Sequence, residues 1–299
     1  MKITVAGGTG FLGANIVRAL LDRGHEVTVL GRDPSKVGLN PLLHGAQAIR
    51  GDVTDPSSLQ GVFEGAEAVV GAVQFPNHPV EVPRKGLTYD RYDRVGTENL
   101  LAAATDAGVG RYVYISGAGA SITSDKTWYR AKGYAEKAVK ASGIDYAILR
   151  PSWAYGPGDK ALNKIAAIAR MSPVVPILGA SVQLVQPVFV GDVAEAVARI
   201  FEVEASWGET FEIGGEVLSM RQITETLLDV LGKKRLIAPI PLPLAKLGTA
   251  PLILLPSPPM TPQGVEFAAQ DGLVDTTSLT EILEVRTVDL ASGLRSYLK

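Results

Sequence analysis

A glycine-rich turn joins a short apolar segment to a helical pattern near the start of the chain. Residues 2–7 have the apolar character of a buried strand, and Gly-Gly-Thr-Gly-Phe-Leu-Gly follows at 7–13, with helical spacing from 11 to 23. Gly7 permits a tight turn, Gly10 lets the backbone approach a bound group, and Gly13 lets the helix pack closely on the strand. The pattern predicts the first half of a βαβ unit.

The same turn predicts an anion site. The first N–H groups of the helix have no partner within the helix, and the positive end of its dipole lies beside them. Pyrophosphate is the group that this arrangement binds in dinucleotide-binding folds. We therefore expect an adenine dinucleotide held by Gly7, Gly10, Phe11, Leu12 and Gly13, and the alternative is a tight turn without a ligand.

Strands and helices alternate through the first half of the chain. Apolar runs predict further strands at 26–30, 46–50, 68–73, 112–116 and 146–149, and helical spacing predicts helices around 100–107 and 128–141. Such alternation implies right-handed crossovers and a parallel sheet covered by helices on both faces. The expected fold class is α/β, a Rossmann-type doubly wound parallel sheet with a smaller C-terminal α/β lobe.

The pattern becomes irregular after residue 151. Helices are predicted at 161–170, 193–201 and 219–231, with Asp192 as the N-cap of the second. A strand is predicted at 211–213, and a short helix after Asp289. We therefore divide the chain into a dinucleotide-binding domain at 1–150 and a smaller substrate or partner lobe at 151–299, interleaved with the Rossmann core.

Composition limits the chemistry that the chain can carry. It contains no cysteine, which excludes disulfides, thiolate nucleophiles and cysteine-based zinc sites, and no metal is expected. Lys and Arg total 29 and Asp and Glu total 31, for a formal net charge of -2. Because this balance lacks a basic excess and no basic stripe stands out, nucleic acid is not an expected partner.

The segment 237–260 is apolar but contains seven prolines. These exclude a continuous spanning helix. We expect a strap buried over the small lobe, and the alternative is peripheral contact with a membrane or a partner protein. The first strand begins at Lys2, which leaves no room for a signal or transit peptide and predicts a cytoplasmic, alternatively membrane-peripheral, location.

The end of the second strand bears on the choice of cofactor. An NAD site places an Asp or Glu here to hold the ribose 2′-hydroxyl, whereas this chain has Gly31 followed by Arg32. Arginine can pair bidentately with a 2′-phosphate, and Lys36 can assist. The sequence favours NADP(H) over NAD(H), with a merely solvated Arg32 as the alternative. Asp52 and Val53 follow the third strand, where Asp52 either accepts from the adenine amine or is an ordinary turn residue.

Several segments together resemble the extended and atypical short-chain dehydrogenase/reductase superfamily. They are the glycine turn, Gly-Asp-Val-Thr-Asp at 51–55, Val-Gly-Thr-Glu-Asn-Leu at 95–100, Tyr-Val-Tyr-Ile-Ser at 112–116, Arg-Pro-Ser at 150–152, Tyr-Gly-Pro-Gly-Asp at 155–159 and Gln-Pro-Val-Phe-Val-Gly-Asp-Val-Ala at 186–194. The most similar subgroup contains proteins resembling the Rossmann-type accessory subunit of respiratory complex I. Met-Thr-Pro-Gln-Gly-Val-Glu at 260–266 also resembles that subgroup.

The resemblance implies further cofactor contacts. Lys132 would hold the nicotinamide ribose. The remaining contacts would come from the ends of the fourth and sixth strands, at Ala72, Val73, Pro151, Ser152 and Trp153.

Dehydrogenases of this superfamily use Tyr-x-x-x-Lys, in which the lysine lowers the pKa of a tyrosine that passes a proton as hydride moves. Here Trp128 stands four residues before Lys132, and its indole N–H does not titrate usefully. Tyr129 neighbours Lys132 on the helix but is turned about 100° from the position of Trp128. Ser116 precedes the usual position of the catalytic serine. The candidate catalytic residues are therefore Lys132, Tyr129 and Ser116, and ordinary tyrosine-driven chemistry is not expected.

A segment rich in proline and charge follows the fourth strand, at 74–92. It is expected either as a lid over the nicotinamide end or as a solvent-exposed excursion. The sequence as a whole predicts an NAD(P)(H)-binding protein with a structural, assembly or sensor role, and the resemblance alone links it to respiratory or quinone metabolism. The alternative is an active NADP-dependent oxidoreductase or epimerase that uses Tyr129 or another donor. An unidentified small molecule or protein is the expected second partner.

Overall fold

Seven parallel strands form the central sheet. A computed structural model describes residues 1–179, 183–251, 261–270 and 272–298. The strands of this sheet are β1 (Lys2–Ala6), β2 (Glu26–Gly31), β3 (Gln47–Arg50), β4 (Ala68–Gly71), β5 (Arg111–Ile115), β6 (Asp145–Pro151) and β11 (Thr210–Ile213). Their spatial order is β3-β2-β1-β4-β5-β6-β11, and each neighbouring pair is parallel.

Helices cover both faces of this sheet. The α-helices of the described chain as a whole are α1 (Phe11–Asp22), α2 (Ser35–Leu39), α3 (Gly96–Asp106), α4 (Thr127–Ala141), α5 (Leu162–Met171), α6 (Val190–Ile200), α7 (Met220–Val230), α8 (Leu242–Thr249), α9 (Pro262–Ala268), α10 (Thr277–Ile282) and α11 (Leu290–Arg295). One apolar core joins α1 and α6 to the sheet, and a second joins α3 and α4 to its other face. The predicted doubly wound α/β fold is confirmed.

The strand order reverses between β1 and β4. The chain moves outward from β1 to β2 and β3 on one side, then returns to β4 and continues outward through β5 and β6. In open parallel sheets, ligands bind beyond the carboxyl ends of the strands at such a reversal. The glycine turn leaves β1 at this point.

Three two-stranded sheets belong to the second half of the chain. They pair β7 (Ala154–Tyr155) with β10 (Val188–Phe189), β9 (Leu184–Val185) with β12 (Leu218–Ser219), and β8 (Val174–Leu178) with β13 (Leu236–Ile240). A third apolar core lies among α5, α7 and α11. Ser219 caps α7 through a reciprocal pair of hydrogen bonds with Gln222, and Asp289 caps α11. This is the predicted smaller lobe.

Two features of the second half differ from the expectations. The strand predicted at 211–213 is an edge strand of the main sheet, where β11 pairs with β6. The helix predicted from 193 begins at Val190, so Asp192 is not its N-cap. Asp192 instead accepts a hydrogen bond from the backbone N–H of Val288 at 2.9 Å. The prediction of the cap was wrong because a contact distant in sequence, rather than the helix end, uses this carboxylate.

The apolar segment 237–260 is partly incorporated in the lobe. Its first residues are half-buried in β13, which agrees with the predicted strap, and α8 then exposes Leu244 and Leu247. Residues 252–260 lie outside the described residues. Within the described part of the chain, no helix combines the length and apolar character needed to cross a bilayer.

Candidate cofactor site

The glycine turn leaves no room for side chains at two of its positions. Gly7 has φ +84°, and a Cβ there would lie 2.5 Å from the Ala72 carbonyl oxygen. A Cβ on Gly13 would overlap the carbonyl oxygen of Gly7. Gly10, by contrast, has only that same oxygen nearby, 3.2 Å from a Cβ. The close packing therefore requires Gly7 and Gly13, whereas Gly10 leaves open space beside the helix tip.

The tip of α1 offers donors to a ligand. Its N-cap is Gly10, no side chain caps it, and no acidic residue lies in its first turn. Helix N-termini of this kind attract anions through free N–H groups and the helix dipole. The Phe11 ring lies beside Gly158 of the second half of the chain, where an added Cβ would be 3.9 Å from Phe11 Cδ2. Leu12 faces inward and packs against the core.

The end of β4 borders the turn. The Ala72 N–H donates to the Ala6 carbonyl at 2.9 Å, so the backbone of Ala72 continues alongside β1 past the last paired residues. Ala72 and Val73 are half-buried. The structure thus brings them together with Gly7, as expected for residues that flank a dinucleotide.

The end of β2 is open and basic. Gly31 is the last residue of β2. A Cβ added to Gly31 would have no heavy atom within 4 Å apart from those of the adjacent residues. The side chains of Arg32 and Lys36 are exposed, and neither forms an ion pair with another residue of the described chain. The neighbouring Asp33 is held by Ser35, whose hydroxyl donates to it at 2.6 Å.

Asp52 and Val53 lie past the end of β3. One oxygen of Asp52 accepts from the backbone N–H and the hydroxyl of Thr54, both at 2.9 Å, which is the geometry of an ordinary turn aspartate. Val53 is buried and packs against Gly96 of α3. A role of either residue at the adenine stays a prediction.

Lys132 is paired with a buried carboxylate. Its Nζ lies 3.1 Å from Oδ1 of Asp93, which is fully buried, and the lysine itself is only slightly exposed. The other Asp93 oxygen accepts from the Phe75 N–H at 3.0 Å. Burial raises the pKa of Asp93, and the ammonium of Lys132 opposes that rise. The lysine chain passes Gly117 just after β5. Its contact with the nicotinamide ribose stays a prediction.

Trp128 and Tyr129 occupy different surroundings. The Trp128 ring packs near Tyr89, with a centroid distance of 6.2 Å. The Tyr129 ring lies against Gly119, where a Cβ would be 2.9 Å from Tyr129 Cε1. Burial raises the pKa of Tyr129, while a hydrogen bond with Trp128 opposes that rise. Tyr129 therefore faces the loop after β5, and burial rather than the Lys132 ammonium dominates its titration.

Ser116 belongs to an internal network. Its hydroxyl donates to Glu136 at 2.6 Å, and the same carboxylate forms a bidentate pair with Arg150 at 2.8 and 2.6 Å. Arg150 also contacts Glu212 of β11 at 3.3 Å. This network ties β5, α4, β6 and β11 together and holds the Ser116 hydroxyl, whose role in catalysis stays a prediction.

The segment 74–92 is packed onto α4. Phe75 and Tyr89 are buried, with ring centroids 4.7 Å apart. Glu81 accepts from the Tyr89 N–H and from the hydroxyl of Thr127, both at 2.8 Å. The alternative of a solvent-exposed excursion was therefore wrong, and the segment covers the end of the helix that carries Lys132.

His78 lies inside this segment. Its Nδ1 and the Tyr89 hydroxyl form a hydrogen bond of 2.5 Å. Burial lowers the pKa of His78 to about 4, and the positive charges of Lys132 and Lys160 add to the decrease. His78 therefore lies within electrostatic reach of both lysines, and no sequence motif marked it.

Residues at the end of β6 face the small lobe. Pro151 is buried and accepts from the Ala118 N–H at 2.9 Å, and the Ser152 hydroxyl donates to the Gly272 carbonyl at 2.7 Å. Trp153 packs at the edge of the third apolar core, where Tyr155 is wholly buried. Tyr155 is thus a core residue. The expected contacts of Pro151 and Trp153 with the cofactor stay predictions.

Sequence reasoning missed Asp93. The helical spacing of 93, 97, 100, 101 and 104 marks one face, and all five side chains are buried. An aspartate on a buried helix face needs a partner, because an isolated buried charge is costly. That conflict was the signal available in the sequence.

Comparison with known proteins assigns the chain to a family. A family model described as NAD(P)H-binding matches residues 7–171, more than half of the chain. The chain belongs to the NAD(P)H-binding family. The predicted membership of the atypical short-chain dehydrogenase/reductase superfamily is confirmed with it, and so is a nicotinamide dinucleotide as the class of cofactor.

Two relatives of this NAD(P)H-binding protein are named for different kinds of protein, one a subunit of a respiratory enzyme and the other a reductase. The mitochondrial NADH dehydrogenase [ubiquinone] 1 alpha subcomplex subunit 9 of Arabidopsis thaliana is 30% identical over 255 residues, which are 83% of this chain and 62% of that protein. The chain thus spans less than two thirds of that relative. The 2-alkyl-3-oxoalkanoate reductase of Stenotrophomonas maltophilia is 31% identical over 267 residues, covering 79% of this chain and 77% of the reductase.

A solved structure shares the fold. UDP-glucose 4-epimerase of Thermotoga maritima superposes with a TM-score of 0.78 at 20% identity, covering 99% of this chain and 96% of the epimerase. At this identity the likeness concerns the architecture alone.

Proposed function

We propose that this protein is an NADP(H)-binding member of the family that does not perform tyrosine-driven hydride transfer, and that its loaded form has a structural, assembly or sensor role. The observation that carries the proposal is the surroundings of Lys132. Trp128 stands where the superfamily places its tyrosine, and Asp93 supplies the lysine with a counter-charge. The two partners of the usual proton transfer are therefore both altered.

The pairing of Lys132 with Asp93 favours a role of the lysine in binding the cofactor over a role in lowering the pKa of a tyrosine. An ammonium lowers a phenol pKa through its positive charge, and a carboxylate 3.1 Å away offsets much of that field. The remaining N–H groups of Lys132 can still donate to ribose hydroxyls. Binding is thus retained by geometry that does not need a titrating tyrosine.

Catalysis through Tyr129 is the competing function. Its ring lies against Gly119 and burial raises its pKa, so the phenol is a weaker proton donor to a substrate carbonyl that accepts hydride. We expect no measurable NADPH oxidation by the wild-type protein with a panel of aldehydes and ketones. Wild-type turnover that disappears in Tyr129→Phe would overturn the proposal, whereas an inactive wild type with turnover gained in Trp128→Tyr supports it. Trp128→Phe, which adds no hydroxyl, is the matched control.

NADP(H) is favoured by the open, basic end of β2. Gly31 leaves space for a 2′-phosphate, and Arg32 has no carboxylate partner among the described residues that would compete for it. In calorimetric titrations, Arg32→Ala should weaken NADPH binding at least about tenfold, since a charge-assisted bidentate contact is lost, and leave NADH binding unchanged. Lys137→Ala, at an exposed lysine on α4, serves as control. Equal losses for both nucleotides would overturn the preference.

The names of the relatives suggest the metabolic process in which this role is performed. One is named as a subunit of NADH dehydrogenase and the other as a reductase. The absence of the usual tyrosine favours the first comparison, so we place the protein in respiratory or quinone metabolism. Co-purification of the tagged full chain with a respiratory dehydrogenase tests that placement, and recovery of the protein alone would count against it. A cytoplasmic location, with contact to a membrane surface, is part of the same proposal.

A further inference from the structure

One surface of the small lobe combines exposed apolar side chains with positive charge. We call it the α5–β13 face, and it consists of Arg170, Met171, Val174, Lys233, Lys234 and Leu236. Met171 is 88% exposed, Leu236 67% and Val174 37%. Large apolar side chains that are this exposed reduce the solubility of a protein. A group of three of them beside lysines and arginines therefore indicates a surface that binds a partner.

The backbone fixes these residues beside one another. Strands β8 and β13 pair in parallel, with Val174 opposite Leu236. The Leu236 N–H donates to the Pro173 carbonyl at 3.0 Å, and the Arg235 guanidinium donates to the Ala169 carbonyl at 2.8 Å. The basic turn before β13 is therefore clamped to the end of α5, where Met171 lies.

Charge on this face has one sign. The segments 161–179 and 230–241 contain five lysines and arginines and no aspartate or glutamate, although the whole chain has a net charge of -2. Lys233 and Lys234 are exposed and form no ion pair within the described chain. The nearest carboxylates along α7 are those of Asp229 and of Glu225, and Glu225 is 3.6 Å from Arg221. The face is thus a local positive surface on an acidic protein.

We propose that the α5–β13 face docks peripherally on an anionic lipid bilayer, with Lys233 and Lys234 over the headgroups and Met171 and Leu236 inserted among them. Apolar side chains rimmed by lysines match the boundary between headgroups and acyl chains. Neither segment contains an aromatic residue on which a nucleobase could stack, which disfavours single-stranded nucleic acid. This docking rests on the membrane contact included in the proposed function and assigns it to one face, while NADPH titration tests the cofactor site separately.

Flotation of the full-length protein with vesicles tests this docking. Wild-type protein should float with phosphatidylglycerol–phosphatidylcholine vesicles, should not float with phosphatidylcholine alone, and should be released at about 0.5 M salt, where charges are screened beyond roughly 4 Å. Lys233→Gln with Lys234→Gln should weaken binding about 25-fold, since each lysine near an anionic surface contributes about fivefold. Met171→Ser with Leu236→Ser should also weaken it without changing the salt dependence.

Matched controls remove similar groups elsewhere. Leu39, 81% exposed on α2, is changed to Ser, and the exposed Lys137 and Lys140 of α4 are changed to Gln. These variants should float like the wild type, and NADPH titration should show that all variants remain folded and loaded. Absence of flotation by the wild type, or equal losses in controls and face variants, would overturn the proposal. So would binding to polyuridylate that persists in Met171→Ser with Leu236→Ser while no vesicle binding is seen.

Discussion

Asp93 Oδ1 lies 3.1 Å from Lys132 Nζ, so the lysine expected at the nicotinamide ribose has a buried counter-ion. The second oxygen of the same carboxylate holds the Phe75 N–H, at the start of the segment that covers α4. Breaking such a pair leaves a buried charge without compensation, which commonly costs about 3–5 kcal/mol. One carboxylate thus connects the cofactor site with the covering segment 74–92.

This connection predicts that NADPH protects the segment against trypsin. The exposed Arg84 and Lys85 offer cleavage sites within it. A ligand that stabilises Lys132 in its pair should reduce opening of the segment, and we expect cleavage there to slow at least about tenfold at saturating NADPH. Fragment mass spectrometry against time measures it. Asp93→Asn keeps an oxygen for Phe75 but loses the charge, and should abolish most of the protection. Equal protection in wild type and variant would refute the connection.

Gly10→Ala should remove cofactor binding without unfolding the protein. The added methyl group meets only the Gly7 carbonyl oxygen, at 3.2 Å, yet it stands beside the helix tip where the backbone must approach the pyrophosphate. We expect the NADPH affinity to fall at least about tenfold in calorimetry, with a nearly unchanged melting temperature. Gly38→Ala, in open space on α2, is the comparison and should bind normally. Normal binding by Gly10→Ala would place the pyrophosphate elsewhere.

Ser116→Ala should affect stability rather than ligand binding. The serine donates to the Glu136 carboxylate, and a buried hydrogen bond to a charged group contributes about 2 kcal/mol. Urea unfolding should show a loss of this size, while calorimetry shows unchanged NADPH affinity. A selective loss of binding with normal unfolding would instead give Ser116 a role at the cofactor.

His78 should make the protein sensitive to acid. Its pKa is about 4 in the folded protein against 6.5 for an ordinary histidine, so the unfolded chain binds the proton more tightly. Its contribution to stability is complete above about pH 6.5 and is lost as the pH falls towards 4, for a total of about 3 kcal/mol. Urea unfolding between pH 7 and pH 4 should therefore show a shallower decline for His78→Gln than for the wild type. Parallel declines would show that His78 does not change its charge on unfolding.

The local patterns of the first half were sufficient to predict its architecture. Five of its strands are short apolar runs between a turn and a helix, and the glycine positions of the first turn follow from steric needs that the structure shows at Gly7 and Gly13. Strand limits differ by one or two residues because the ends depend on pairing with neighbours.

Those local patterns could not predict contacts between residues that are distant in the sequence. The pairing of β11 with β6 joins residues about 60 positions apart, and neither segment alone indicates its partner. The same holds for Asp93 with Lys132 and for Asp192 with Val288. At the site, the sequence supplied the residues of the glycine turn and Lys132, whereas the counter-ion and the anchoring of 74–92 required the folded chain.

The edge position of β11 has a consequence for synthesis on the ribosome. Until residue 213 has emerged, β6 presents an unpaired row of backbone groups, and such open edges invite pairing with other chains. A gene fragment that stops at residue 151, although it encodes every strand of the nucleotide-binding half, would leave that edge permanently uncovered. The two halves are therefore one unit of folding, and expression trials on the first alone should yield aggregates.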